Sequence, residues 1–176
     1  NYTETIHPKA QEASRLNDAY RSIPLGSHRL NNLFYNVSVL EEAGVDPESL
    51  TSYDAYIDAL DAVQSETDAI PMTMTTRGSW APLQYFVQFM LGTEGQEAYE
   101  AWLDGEGDRA ALVRSLEKTK NVIENYTNED KSSISFPEAN DKLIAGNAAF
   151  FTMGNWAYGM YRNAEDFEYE EDWGWV

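Results

Sequence analysis

The chain has 176 residues, 43% hydrophobic and 13% aromatic, with 30 acidic against 12 basic side chains and a formal charge of −18. That length and apolar content suffice for one sizeable core, so the chain is expected to be a folded domain rather than disordered. A charge of that sign repels phosphate backbones and excludes nucleic acid as a partner, and no stretch approaches the roughly 20 apolar residues of a membrane span.

Cysteine is absent, which removes disulfides, thiolate catalysis and Cys-based metal sites. His7 and His28 are the two histidines and form no HxxxH or HExxH spacing, so neither a metal nor a cofactor is expected. The acids are dispersed along the chain, as in a solvated shell kept soluble in high salt, where screening suppresses self-repulsion. An ordinary acidic extracellular protein would show the same composition.

In chain order, residues 1–19 are polar, with a helix expected over Pro8–Leu16 on the strength of its early proline. They read as a boundary segment that packs on something else. Pro24 and Gly26 then break the chain, and His28–Val37 carries Leu30, Leu33, Phe34, Tyr35 and Val37 without helical period, which predicts a strand. His28, Arg29, Asn31 and Asn32 crowd polar groups beside it, either as a plain polar face or as a ligand-facing or hinge strand. Ser38–Ala43 should be a short helix stopped by Gly44. Ser52 is placed to cap the next helix, in which Tyr53, Tyr56, Ile57, Leu60 and Val63 form one apolar face and Asp54, Asp58 and Asp61 the solvated one.

Ala69–Thr75 alternates Ile70, Met72 and Met74 with smaller or polar residues and predicts a second strand. Arg77-Gly78 turns the chain, and Ser79 is expected to cap a helix from Trp80 to about Leu91 with Leu83, Phe86, Val87, Met90 and Leu91 inward. Trp80, just after a strand, is either a core side chain or a rigidly held cleft aromatic. A short helix over Glu97–Trp102 precedes the surface loop Asp104–Asp108, whose acids lack EF-hand spacing. Arg109–Tyr126 should be the longest helix, with Leu112, Leu116, Thr119, Ile123 and Tyr126 on one stripe. Ser135 caps a helix that ends before Gly146.

Gly146–Tyr161, GNAAFFTMGNWAYGMY, is the most informative stretch. Ala148–Phe151 reads as a buried strand. Gly154 breaks it, and Asn155 can cap a new helix bearing Trp156, Tyr158 and Tyr161. A strand feeding a helix through Gly-Asn leaves an amide, an indole and free N–H groups at one rim, which suits a neutral polyhydroxylated ligand. The same residues would also serve as a plain helix cap with core aromatics. Phe167–Val176, alternating aromatics with acids, predicts a last strand. Few strands separated by helices make an α/β fold.

Four colinear stretches carry a family likeness. PLGSHRLNNLFYN followed by LEEAGV, then LTSYDAYIDAL, SWAPLQYFVQFMLGTEGQEAYEAW and FPEANDKLIAGNAAFFTMGNWAYG, resemble in order the segments of the extracytoplasmic solute-binding proteins of ABC sugar transporters. The likeness covers roughly residues 20 to 175, and the HR-N pair with GNWA leans toward the branch that binds glucose and related aldoses. Together with the acidic shell it suggests a haloarchaeal source.

The resemblance implies a type II periplasmic-binding-protein fold in which residues 1–176 form the helix-rich C-terminal lobe. It has a small mixed sheet flanked by helices, residues 168–176 lead toward the hinge, and the N-terminal lobe is absent. It implies a non-enzymatic, monomeric, lipid-anchored receptor on the extracellular face of the membrane, delivering a sugar to an ABC permease. Carried over by position, Trp80 is an aromatic platform, Asn155 and Trp156 hold sugar hydroxyls and ring, and His28 and Arg29 stand near cleft and hinge. Two departures matter: Asn155 replaces a charge-assisted acidic acceptor, and Phe136 stands where tryptophan is commoner. The alternatives are a glycoside hydrolase, which needs a carboxylate pair, or a cell-surface carbohydrate-binding module outside transport. Sequons occur at Asn1, Asn36 and Asn125, of which Asn125 at a helix end is expected to be accessible.

Overall fold

The computed structural model describes residues 5–26 and 28–176. Its centre is a four-stranded mixed sheet in the order β4-β5-β3-β6. Strand β3 spans Asn32–Asn36, β4 Ile70–Thr73, β5 Ala148–Met153 and β6 Trp173–Trp175. β4 and β5 run parallel, while β3 is antiparallel to both β5 and β6. All six residues of β5 are buried. Its continuous apolar run is what a strand covered on both faces requires.

The two faces carry separate cores. Phe150, with Met72 and Met74, packs against Val39 and Leu40 of helix α2 (Val37–Ala43), Tyr56, Leu60 and Val63 of α3 (Tyr53–Glu66), and Val122 of α6 (Arg109–Asn125). Phe151 and Met153 point the other way, toward Leu143 of α7 (Phe136–Ile144), Tyr161 of α8 (Tyr158–Asn163), Phe167 and Trp173. Helices α4 (Trp80–Glu94) and α5 (Gln96–Leu103) complete the first layer. The α/β, helix-rich expectation with a small mixed sheet therefore holds.

Local chemistry sets the helix ends. Ser52 accepts from the Ala55 N–H, and Ser135 with Glu138 closes a capping box on α7. Gly44, at φ 68°, terminates α2 in the left-handed region. Asp108 accepts from the Ala110 and Ala111 N–H groups, so part of the acidic loop serves as a cap.

Several expectations need correction. Helix α1 covers only Pro8–Ala13, and the chain then makes a two-stranded hairpin of β1 (Arg15–Leu16) and β2 (Ala19–Tyr20). Strand β3 starts at Asn32 rather than His28, because residues 28–31 leave the ladder to meet the loop after β5. The last strand shrinks to Trp173–Trp175, since left-handed Asp166 and Glu170 fold the preceding loop back. Ser79 lies in the right-handed helical region and makes no cap bond. There the Thr75 hydroxyl accepts from the Arg77 N–H at 3.1 Å and anchors the turn. On α6 the buried stripe is Ala111, Ser115, Thr119 and Val122, with Leu116 turned to solvent. The Ser115 and Thr119 hydroxyls donate to carbonyls four residues back, which lets small polar side chains pack where α4 approaches.

The segment after α6 edges the sheet: the Met72 N–H donates to the Tyr126 carbonyl and the Met74 N–H to Asn128 Oδ1. Tyr126 donates its hydroxyl to Asp61 at 2.7 Å, tying this edge to α3. That bond and partial burial push the Tyr126 phenol up to about 12. A raised phenol stabilises the fold fully below its unfolded value near 10, and the contribution disappears as pH climbs to about 12. Tyr126→Phe should therefore cost about 1 kcal/mol at neutral pH and lose less stability than the parent as pH rises above 10, read by urea denaturation across that range.

Candidate functional site

The sheet brings four chain ends to one rim. Because β4 and β5 are parallel, both carboxyl ends emerge on the same side. The antiparallel register of β3 places its amino end there, with Asn32 opposite Met153, and β6 adds Trp175 beside them. Carboxyl ends of adjacent parallel strands are where open α/β sheets hold ligands.

The loops beyond the two parallel strands use one device twice. Gly78-Ser79-Trp80 follows β4 and Gly154-Asn155-Trp156 follows β5. A Cβ at Gly78 would approach the Trp80 pyrrole ring at 2.8 Å, and one at Gly154 would run into the six-membered ring of Trp156. Each indole thus lies back over the glycine two residues before it. The two ring centroids are 6.3 Å apart with planes inclined by 59°. Phe136 meets Trp80 edge-on at 6.1 Å and so supports the aromatic pair.

All five residues singled out from the sequence meet at this rim. His28 is edge-on to Trp156 at 5.4 Å, and its Nδ1–H donates to Asn155 Oδ1 at 3.0 Å. The Arg29 carbonyl accepts from the Asn155 N–H at 2.9 Å. The Arg29 side chain lines a neighbouring hollow of about 260 Å³ with Asn155, Tyr158 and Trp175. The expected cap at Asn155 is not made: a short 3-10 turn over Asn155–Ala157 precedes α8, and the amide turns to His28 instead. The Asn155 N–H is thus spent on Arg29.

Between the tryptophans and α4 lies a cavity of about 560 Å³, within the 300–1,000 Å³ common for small-ligand sites. Its wall holds Leu30, Leu83, Gln84, Gln88 and Leu91 as well as both indoles. Leu83 and Leu91, expected inward, are 50% and 37% exposed, while Ala81, Tyr85 and Phe86 take the core. Positions 80, 84, 87, 88 and 91 recur at helical spacing, so α4 turns a second stripe of mixed apolar and amide side chains toward the cavity. A helix apolar nearly all round was the available signal for these residues. Gln88 donates from Nε2 to the Leu30 carbonyl at 2.9 Å and fixes residues 28–31 against α4.

Behind this wall burial raises the phenols of Tyr56, Tyr85 and Tyr161, which stay neutral and serve the core. Among the described residues no cluster of three His, Asp or Glu is placed to hold a metal ion, and no helix is long and apolar enough to cross a membrane.

The model of the bacterial extracellular solute-binding protein family matches residues 3–176. The chain belongs to that family. It is 45% identical over 175 residues to the xylose/arabinose-binding protein XacG of Haloferax volcanii, an alignment covering 99% of this chain and 38% of that relative. Among solved structures, a protein studied for xylan utilization by the thermophile Caldanaerobius polysaccharolyticus superposes with a TM-score of 0.85 at 16% identity, over 99% of this chain and 44% of the other. A chitin oligosaccharide binding protein superposes with a TM-score of 0.80 at 18% identity, over 94% and 42%. These likenesses establish the shared fold. This solute-binding protein chain thus spans about two-fifths of the length of the relatives it matches.

The back-folded indoles make the site sensitive to one methyl group. Gly154→Ala keeps an allowed extended backbone but should push Trp156 out of its seat. The expected readout is a changed near-ultraviolet tryptophan circular dichroism with far-ultraviolet helix content retained; an unchanged tryptophan signal would contradict the packing.

Proposed function

We propose that this chain is one lobe of a two-lobed sugar receptor for an ABC importer, and that the rim holding Trp80 and Trp156 is its half of the cleft. The observation that carries the reading is the aromatic pair of exposed Trp80 and half-buried Trp156, bordered by neutral amides. Indole faces stack on the C–H faces of a sugar ring, while amides and an imidazole offer directional bonds to hydroxyls. Asn31, Gln84, Gln88 and Asn155 supply the amides and His28 the imidazole. The cavity wall between the indoles and α4 carries no carboxylate among the described residues. Hydrolysis of a glycosidic bond needs a carboxylate pair, so the wall favours binding without turnover.

The cargo is an aldopentose. The sequence motifs lean toward glucose-like aldoses, but the relative that is 45% identical is named for xylose and arabinose, and pentoses take precedence on that likeness. A second lobe fits the amino-terminal segment, where Leu16, Ile23 and Leu25 are exposed on residues with scarcely any core of their own. Closure of the partner lobe would bury ligand and indoles together, and the closed form would be the one a membrane permease recognises. Extracellular display, a lipid anchor and a monomeric state complete this reading.

Isothermal titration of the full-length protein in molar salt against xylose, arabinose and glucose tests it. Saturable binding of a pentose, stronger than of glucose, is expected. Trp80→Ala should weaken it by about 1–3 kcal/mol with the unfolding midpoint monitored alongside, and Trp80→Phe should restore part of the loss. No heat with any of the sugars, or affinity indifferent to Trp80, would overturn the assignment.

A further inference from the structure

The end of the molecule opposite the aromatic rim carries a second kind of site. We propose that Asn125 is an N-glycosylation site, and that of the two sequons on described residues it alone carries a glycan in the folded protein. The proposal is independent of which solute is bound; it requires only that the protein be exposed outside the cell.

The two sequons have the same chemistry and opposite surroundings. Asn36 is buried: its Nδ2 donates to the Leu143 carbonyl at 3.0 Å, and its Oδ1 accepts from the Val39 N–H and the Ser38 hydroxyl. Asn36 thereby caps α2 and pins it to α7. A sugar on that nitrogen would have to occupy the space between two packed helices, so a chain modified there cannot reach this fold. Asn1 lies outside the described residues.

Asn125 is the last residue of α6 and is exposed. Its Nδ2 makes one exposed bond, donating to Asn121 Oδ1 at 2.8 Å. A glycosylated amide keeps one N–H, so that bond survives the modification. The backbone carbonyl of Asn125 accepts from Gln64 Nε2 at 3.2 Å, which anchors the site to α3 without using the side chain. Beside it lies a hollow of about 410 Å³ lined by Pro71, Tyr126, Asp130 and Lys142, with a ring, a pyrrolidine and charged groups within reach of a first sugar. Ile70, the first residue of β4, lines the same hollow. The full length of β4 and β5 therefore separates the glycan from Trp80 and Trp156, and the cleft stays open.

The Thr127 hydroxyl donates to the Ile123 carbonyl at 2.7 Å in the folded chain. Transfer therefore belongs to the exporting chain before the last turn of α6 closes. The donor is a glycan linked through phosphate to a polyprenyl lipid. Nδ2 of Asn125 attacks the anomeric carbon, a C–N bond forms and the C–O bond to phosphate breaks. The lipid phosphate leaves with the electron pair, and Nδ2 gives up one proton to a base of the transferase, with no change in oxidation state.

Peptide mass mapping of the protein purified from its native host, compared with variants expressed there, decides the matter. The peptide containing Asn125 should carry a hexose- or N-acetylhexosamine-based mass increment in most molecules, and the Asn36 peptide none. Thr127→Ala should abolish the increment and Thr127→Ser retain it, with the same circular dichroism in both. An unmodified Asn125 peptide, an increment on Asn36, or an increment that survives Thr127→Ala would overturn the proposal.

Discussion

Strand β5 runs through the middle of the molecule with both faces covered, Phe150 toward α2 and α3 and Phe151 toward α7 and α8. Everything else hangs on that double burial. It forces a continuous apolar run, sets the order of the sheet, and delivers the chain through Gly154 at a fixed height and direction. A strand held from two sides cannot slip in register without exposing an entire apolar face. The position of Trp156, two residues beyond, is consequently fixed by the core rather than by a flexible loop.

The repeated glycine-x-tryptophan turn follows from the parallel pairing of β4 and β5. Parallel neighbours present equivalent ends to one rim, so equivalent turns put two indoles side by side. Each glycine gives its indole room to lie back, which costs the backbone little because both positions have ordinary negative φ. The rim gains two rigid aromatic faces, with Phe136 against Trp80 and His28 against Trp156. Rigid faces bind without losing side-chain entropy at the moment of contact.

The acidic charge of the molecule stays off the cavity wall beside the indoles. Asp54, Asp58 and Asp61 lie on the outward side of α3, and Glu94 is held below the usual carboxylate range by its bond from Arg114 at the outer surface of α4 and α6. The cavity beside the indoles is walled by apolar, amide and aromatic groups. A solvated acidic shell and a neutral pocket thus coexist in one small domain. Asn155 belongs to this pattern, since its oxygen takes the His28 N–H and carries no charge into the rim.

The sequence by itself determined the α/β class, the helices from α2 to α7 within a few residues and the buried character of residues 148–151, while the five residues that meet at the rim were singled out through the family resemblance. Periodicity, caps and glycine stops are local properties, and local properties survive in a string of letters. The tertiary structure alone decided how α4 is rotated: Leu83 and Leu91 look like core on a helical wheel beside Phe86, and only the approach of β5 and α6 shows that Ala81 and Tyr85 take the inside with Phe86 while the two leucines do not. It decided that Asn155 bonds His28, 127 residues away in sequence, instead of capping the turn it begins. It decided also that Asn36 is buried and Asn125 exposed, although both read as the same three-residue pattern. Each of these depends on which distant element packs against a side chain, and contact between segments far apart in the chain leaves no periodic trace in either segment.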